Sequence, residues 1–237
     1  MRSFCHSATT FAHLAVGPSG STGTSEREGT DMAEASTHDF DKDYWERHWA
    51  QRHGPSERAP HPYLARETAG LEPGTALDAG CGTGSEALWL AARGWQVTGA
   101  DIAAHALDRA AERSADLPEP GGVRWIEADL TTWEPERRFD LVTTAYAHPA
   151  MPQLDFYRRL AAWVAPGGTL LIVGHLHAAA AHGHHPPAAA AVALADITAS
   201  VAPLRIATAE EHTRTVTGPG GRDHLLRDAV VRATRTR

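Results

Sequence analysis

The chain reads as an α/β domain, with seven strands in a mostly parallel sheet, helices on both of its faces and a C-terminal antiparallel hairpin. Two observations predict it. Between Thr75 and Ser200, short apolar stretches alternate with helix-length amphipathic ones, which is the grammar of βαβ units. Beyond Ser200 the grammar changes to two long stretches joined by Gly218-Pro219-Gly220-Gly221, a hairpin signal.

The elements follow in order. Phe40, Tyr44, Trp45 and Trp49 recur at spacings near four, which predicts an amphipathic helix over 41–53, broken by Gly54-Pro55. A short helix over 62–69 and a turn at Glu72-Pro73-Gly74 come next. Strands are expected over 75–79, 95–100, 123–127, 139–145 and 169–174. Helices are expected over 85–93, ended by Gly94, over 104–115, stopped by Pro118, and over 152–164, with Pro152 in its first turn. Pro166-Gly167-Gly168 reads as a turn before the fully apolar fifth strand. A helix over 188–200 leads into the hairpin of 204–216 and 222–233.

Composition bounds the function. Lys+Arg 22 against Asp+Glu 29 gives a net charge of −7, which argues against a general nucleic-acid binder, since that needs a basic footprint. Two cysteines, Cys5 and Cys81, cannot form a disulfide framework, so a cytoplasmic protein is expected. No apolar run reaches 18 residues, so no membrane span is expected. Residues 1–38 are rich in Ser, Thr, Gly and Glu without apolar periodicity and read as a disordered extension. They lack the continuous apolar core of a signal peptide, and Met32 is an alternative start. The ordered domain is expected over 39–237. No residue pattern points to an oligomeric state.

The most informative stretch is Asp78-Ala79-Gly80-Cys81-Gly82-Thr83-Gly84, a glycine-rich turn between a strand and a helix. Such a turn aims backbone N–H groups and a helix N-terminus at a ligand beyond the carboxyl edge of the sheet. The dinucleotide pattern wants Gly or Ala where Ser85 stands. Asp78 beside the turn repels a pyrophosphate but suits an ammonium, so an amino-acid tail fits better than phosphates. Asp101 stands at the tip of the second strand, about 20 residues beyond the turn, where an acid accepts from ribose hydroxyls. Ile102 is then placed against an adenine, and Asp129, followed by Leu130, to accept from its amino group. The ordinary alternative for Asp129 is a helix N-cap.

With these residues in hand, the chain resembles the class I S-adenosylmethionine-dependent methyltransferases, a Rossmann-like family. Asp78, Gly80, Gly82 and Gly84 stand in its glycine motif, with Cys81 and Thr83 between them. Asp101 stands at its ribose acid and Asp129 at its adenine position. Phe139-Asp140-Leu141-Val142 is similar to its fourth strand, Pro166-Gly167-Gly168-Thr169-Leu170 to the start of its fifth, and the hairpin to its reversed terminal strands. Trp49, Pro62-Tyr63-Leu64 and the run from Leu88 to Trp95 resemble small thiopurine- and tellurite-resistance-type enzymes. That resemblance implies a Trp49 helix covering S-adenosylmethionine and a small-molecule acceptor, a thiol, chalcogen oxyanion or similar, with no nucleic acid. The alternative for Trp45 and Trp49 is a plainly docked helix.

Methyl transfer needs alignment above all, and a base only when the acceptor carries a proton. His148, after the fourth strand, is the candidate base, with Tyr146 to position the acceptor. A solvated loop histidine is the alternative. His175, His177, His182, His184 and His185 crowd one segment, but without paired cysteines or carboxylates they are not read as a metal site. A substrate gate or a solvated loop are the readings kept. Two other functions stay open, an NAD(P)-dependent oxidoreductase and a non-catalytic binding module.

Overall fold

The computed structural model describes residues 40–51, 59–115, 122–176, 192–217 and 223–237. The expected extension over 1–38, with Met32, lies outside these residues. So do the Gly54-Pro55 break, His177, His182, His184, His185 and the turn at 218–221.

Helices α1 (Lys42–Ala50) and α2 (Leu64–Thr68) precede β1 (Thr75–Ala79). Then come α3 (Ser85–Ala91), β2 (Gln96–Asp101), α4 (Ala104–Ser114), β3 (Val123–Glu127), β4 (Phe139–Ala145), α5 (Gln153–Ala162) and β5 (Val164–His175). Helix α6 (Leu194–Ser200), β6 (Arg205–Thr217) and β7 (Asp223–Thr234) close the chain. Among the described residues, no helix is long and apolar enough to cross a membrane.

The strands form one sheet in the order β3-β2-β1-β4-β5-β7-β6. Strands β1 to β5 are parallel, and β7 runs antiparallel to both β5 and β6. Since β6 runs with β5, a single strand of the hairpin is reversed, where the sequence suggests a reversed pair. The order turns back between β1 and β4, and a ligand crevice opens outside the carboxyl ends at such a switch point.

Parallel strands are buried on both faces, so they read as unbroken apolar runs whose side chains still alternate. Leu170 and Ile172 of β5 pack with Phe156, Leu160 and Ile197 of α5 and α6. Leu171 and Val173 pack on the opposite face with Leu64, Ala87 and Leu90 of α2 and α3. The sheet between these two cores is the rigid support for the crevice.

Two boundaries differ from expectation for local reasons. Strand β5 starts at Val164, which pairs with Phe139 ahead of a register shift to Leu141 and Thr169. The expected turn at Pro166-Gly167-Gly168 is absorbed into the strand as an irregularity. There Gly167 N donates to Arg235 O and Arg235 N to Gly168 O. Helix α6 starts at Leu194, six residues later than expected, and Val192 instead bridges to Leu176.

Strand β2 carries Gly99 under the indole of Trp125, and a Cβ at that glycine would collide with the ring. Overpacking of this kind costs about 1–3 kcal/mol. Gly99→Ala is therefore expected to lower the urea midpoint at unchanged slope, and a second change, Trp125→Leu, to recover part of the loss.

Candidate active site

A cavity of about 600 Å³ opens at the carboxyl edge of the sheet. The glycine turn, Asp101, Ile102, Asp129 and Leu130 form one end of its wall. Residues 145–150, His175 and Arg214 line it too, together with His61, and Trp45 and Trp49 of α1.

The glycine turn is fixed by its backbone. Gly80 N and Cys81 N both donate to Ala100 O, at 2.8 and 3.1 Å, and Gly84 N donates to Cys81 O. Gly80 and Gly82 have φ of +76° and +51°, a region that L side chains avoid. A Cβ at Gly80 would collide with Ala147, and one at Gly82 would lie 3.0 Å from the Trp49 ring. Arg113 of α4 holds the far side of the turn, donating to Thr83 O and Ser85 Oγ. The Cys81 side chain is buried, and burial pushes its thiol well up, so it packs rather than reacts.

Asp101 is 8% exposed and accepts Gly82 N on Oδ2 at 2.8 Å and Ala103 N on Oδ1 at 3.0 Å. Burial raises its carboxyl above the usual range despite those donors. Asp129 Oδ1 accepts from Thr131 N and Oγ1, so it caps a turn rather than a helix. Asp78 and Gly84 are not among the lining residues. Asp78 Oδ2 accepts Ala87 N in the first turn of α3, and burial together with Glu86 raises its carboxyl. The sequence reading sets Asp78 against a ligand ammonium; the structure sets it behind the turn, where it steadies the helix.

Helix α1 crosses the cavity mouth. Trp45 Nε1 donates to His148 O at 3.1 Å, and Glu46 accepts Ala104 N and His105 N at the start of α4. Ala103, at the N-cap of α4, offers no side-chain cap, so Glu46 supplies it from another element. Lys42 adds an ion pair to Glu127.

A polar cluster occupies the wall beyond the glycine turn. Tyr146 sits at φ +56°, a strained position for a tyrosine, and its hydroxyl accepts from Arg214. Asp228, fully buried in β7, accepts from Tyr63 Oη at 2.9 Å and Arg214 Nε at 2.6 Å on the same oxygen. The His175 ring packs over Tyr146 and His148, with centroids 4.6 and 5.8 Å away. His148 Nδ1 lies 3.3 Å from Gln153 Oε1, and burial lowers its pKa. His61 is 7% exposed with both ring nitrogens unpartnered.

The sequence of the core of this site matches a known family. Residues 76–168 match the model of the methyltransferase domain. That match spans less than half of the chain. Its relatives include a probable thiol methyltransferase 2 of Arabidopsis thaliana, 35% identical over 41% of this chain and 45% of the relative. A ribosomal RNA small subunit methyltransferase C of Alcanivorax borkumensis is 35% identical over 44% of this chain and 33% of its own length. The chain thus spans less than half the length of these relatives. Among solved structures, TehB from Haemophilus influenzae superposes with a TM-score of 0.65 at 16% identity, covering 82% of this chain and 67% of that one. At that identity the likeness is one of fold.

The fold thus brings Trp49, Gly80, Cys81, Gly82, Thr83, Asp101, Ile102, Asp129, Leu130 and His148 around one cavity. Sequence reasoning missed His61, Arg214 and Asp228. The signal for Asp228 was present, an acid leading the apolar run Ala229-Val230-Val231. Nothing local marks Arg214, which reaches the cavity from the outermost strand.

Burial lowers both His61 and His175 to about 4. A histidine whose folded pKa lies below its unfolded value near 6.5 is protonated first in the unfolded chain, so stability rises with pH across that window. Between pH 4 and 6.5 unfolding is expected to take up protons at both rings. In urea titrations across that range, His61→Gln should lower the slope of stability against pH by about one proton.

Proposed function

We propose that the chain is an S-adenosylmethionine-dependent methyltransferase acting on a small-molecule nucleophile, a thiol or similar soft acceptor. One observation carries the reading. The Asp101 carboxylate lines the cavity, and its two oxygens are oriented by the Gly82 and Ala103 amides. A vicinal diol takes that pair of acceptors. The glycine turn fits as well, because a Cβ at Gly80 or Gly82 would crowd Ala147 or Trp49, leaving backbone alone on the ligand side.

In this reading the turn cradles the amino-acid tail, Asp101 holds the ribose, and Ile102 and Leu130 flank the adenine. Asp129 accepts from the adenine amino group through the oxygen that Thr131 leaves open. S-adenosylmethionine, when bound, supplies a methyl group activated on a sulfonium. Trp49 and its helix exclude water, and His148 and Tyr146 face the acceptor. The protein contributes mainly alignment, which suits a site without a nucleophilic triad.

A small acceptor is favoured by a cavity within the usual range for small ligands and by the net charge of −7. The name of the Arabidopsis relative supports a thiol, and the name of the ribosomal RNA relative is outweighed by that charge. The oxidoreductase alternative is disfavoured by Ser85 in the turn and by the reversed β7.

Calorimetric titration tests the reading. Micromolar binding of S-adenosylmethionine and S-adenosylhomocysteine with none of NAD is expected; binding of NAD alone would overturn it. Asp101→Ala should weaken binding of S-adenosylhomocysteine by about 1.5–3 kcal/mol, roughly 10- to 150-fold. Unchanged affinity in the folded variant would remove the ribose role.

A further inference from the structure

The sheet order sets an acid and an imidazole side by side at the far end of the cavity. In the β5–β7 register His175 is the direct cross-strand partner of Asp228, and in the β6–β7 register His212 is. Direct partners share a face, so a carboxylate sits between two histidines across three neighbouring strands. Asp228 Oδ2 is committed to Tyr63 and Arg214. Oδ1 is fully buried without a hydrogen bond within normal distance, His175 Nδ1 lies 4.0 Å from it, and the Tyr146 hydroxyl also faces the carboxylate. A buried carboxylate oxygen left in that state is costly, and a shift of about 1 Å by the ring satisfies it. Hydrogen bonds of this kind are often long before substrate binds.

Resting on the methyltransferase reading, we propose that Asp228 and His175 form the proton-accepting pair of the reaction, so that the site takes acceptors whose nucleophilic atom carries a proton, thiols foremost. Asp228 accepts Nδ1–H and so fixes the tautomer that leaves the Nε2 lone pair on the cavity side. As the acceptor's S–H proton moves to Nε2, the sulfur lone pair bonds to the donated methyl carbon. The electron pair of the broken carbon–sulfur bond stays on the donor's sulfur. The imidazolium that forms faces a carboxylate. His148 has only the neutral amide of Gln153 behind it, which stabilises such a charge less.

The groups facing His175 are Tyr146 and His148 from the segment after β4, Arg214 from β6 and Asp228 from β7. Burial, with His148 and Arg214 adding to it, brings the ring to about 4, so it enters the reaction as neutral imidazole at pH 7.

Two readouts test the pair on the full chain. Two-bond proton–nitrogen spectra of histidine-labelled protein, assigned by loss of one signal set in His175→Gln, should show the Nδ1–H tautomer for His175. The Nε2–H tautomer would overturn the proposal, and this readout needs no turnover. The second compares 2-mercaptoethanol, whose sulfur is protonated at pH 7, with thiocyanate, which has no proton to lose. General bases contribute roughly 10²–10⁴-fold. His175→Gln should therefore lower the rate ratio of 2-mercaptoethanol to thiocyanate by about tenfold or more, and a smaller change would count against the pair. Transfer to thiocyanate alone by the unaltered chain would also overturn it. S-adenosylhomocysteine binding in the same preparation separates these outcomes from a failure of the methyltransferase reading.

Discussion

The carbonyl of Ala100 accepts two amides at once, from Gly80 and from Cys81, and the glycine-turn end of the cavity depends on that junction. It ties the tip of β1 to the tip of β2, so the glycine turn and Asp101 move as one body. Gly82 then donates to Asp101, closing a short circuit of backbone and carboxylate. Ala147, arriving from the end of β4, packs where a Cβ on Gly80 would stand. Three strand tips therefore interlock, and the positive φ values of the turn are the condition for that fit.

The other end of the cavity depends on strand order. Because β7 enters the sheet between β5 and β6, a residue near the chain's end becomes a central one. A buried carboxylate is expensive unless paired, and Asp228 is paired by Arg214 from β6 and Tyr63 from the segment before α2. Docking of the hairpin and assembly of this wall are thus one event. The strain at Tyr146 belongs to the same region, since its amide is held by Val173 of β5 while its hydroxyl meets Arg214.

Much of this was legible beforehand because apolar patterning in buried parallel strands is strong. The starts of β1, β3, β4, α3 and α4 fall where periodicity and glycine signals put them. The glycine turn and Asp101 were readable because their chemistry is local to two strand tips. The hairpin was visible, but its insertion was not, since strand order is decided by which faces bury one another and not by neighbours in sequence. For that reason Asp228 and Arg214 went unread, although both stand in plainly marked strands. Asp78 is the opposite case. Its position beside the turn invites a ligand role, yet the first turn of α3 has open amides of its own, and Ala87 N claims the carboxylate.

Helix α1 buries no residue of its own; besides the ring contacts of Trp45 and Trp49 it is held by polar ties, those of Trp45 and Glu46 and the ion pair of Lys42 with Glu127. Water replaces such ties readily, so this cover belongs to the low-stability end of the fold. Lys42 is also the only lysine in the sequence. The sole side-chain amine of the protein therefore sits on this helix. Acylation of Lys42 Nζ removes its charge and with it the attraction to Glu127, so an amine-directed reagent or dye marks and loosens the cover while sparing every other side chain.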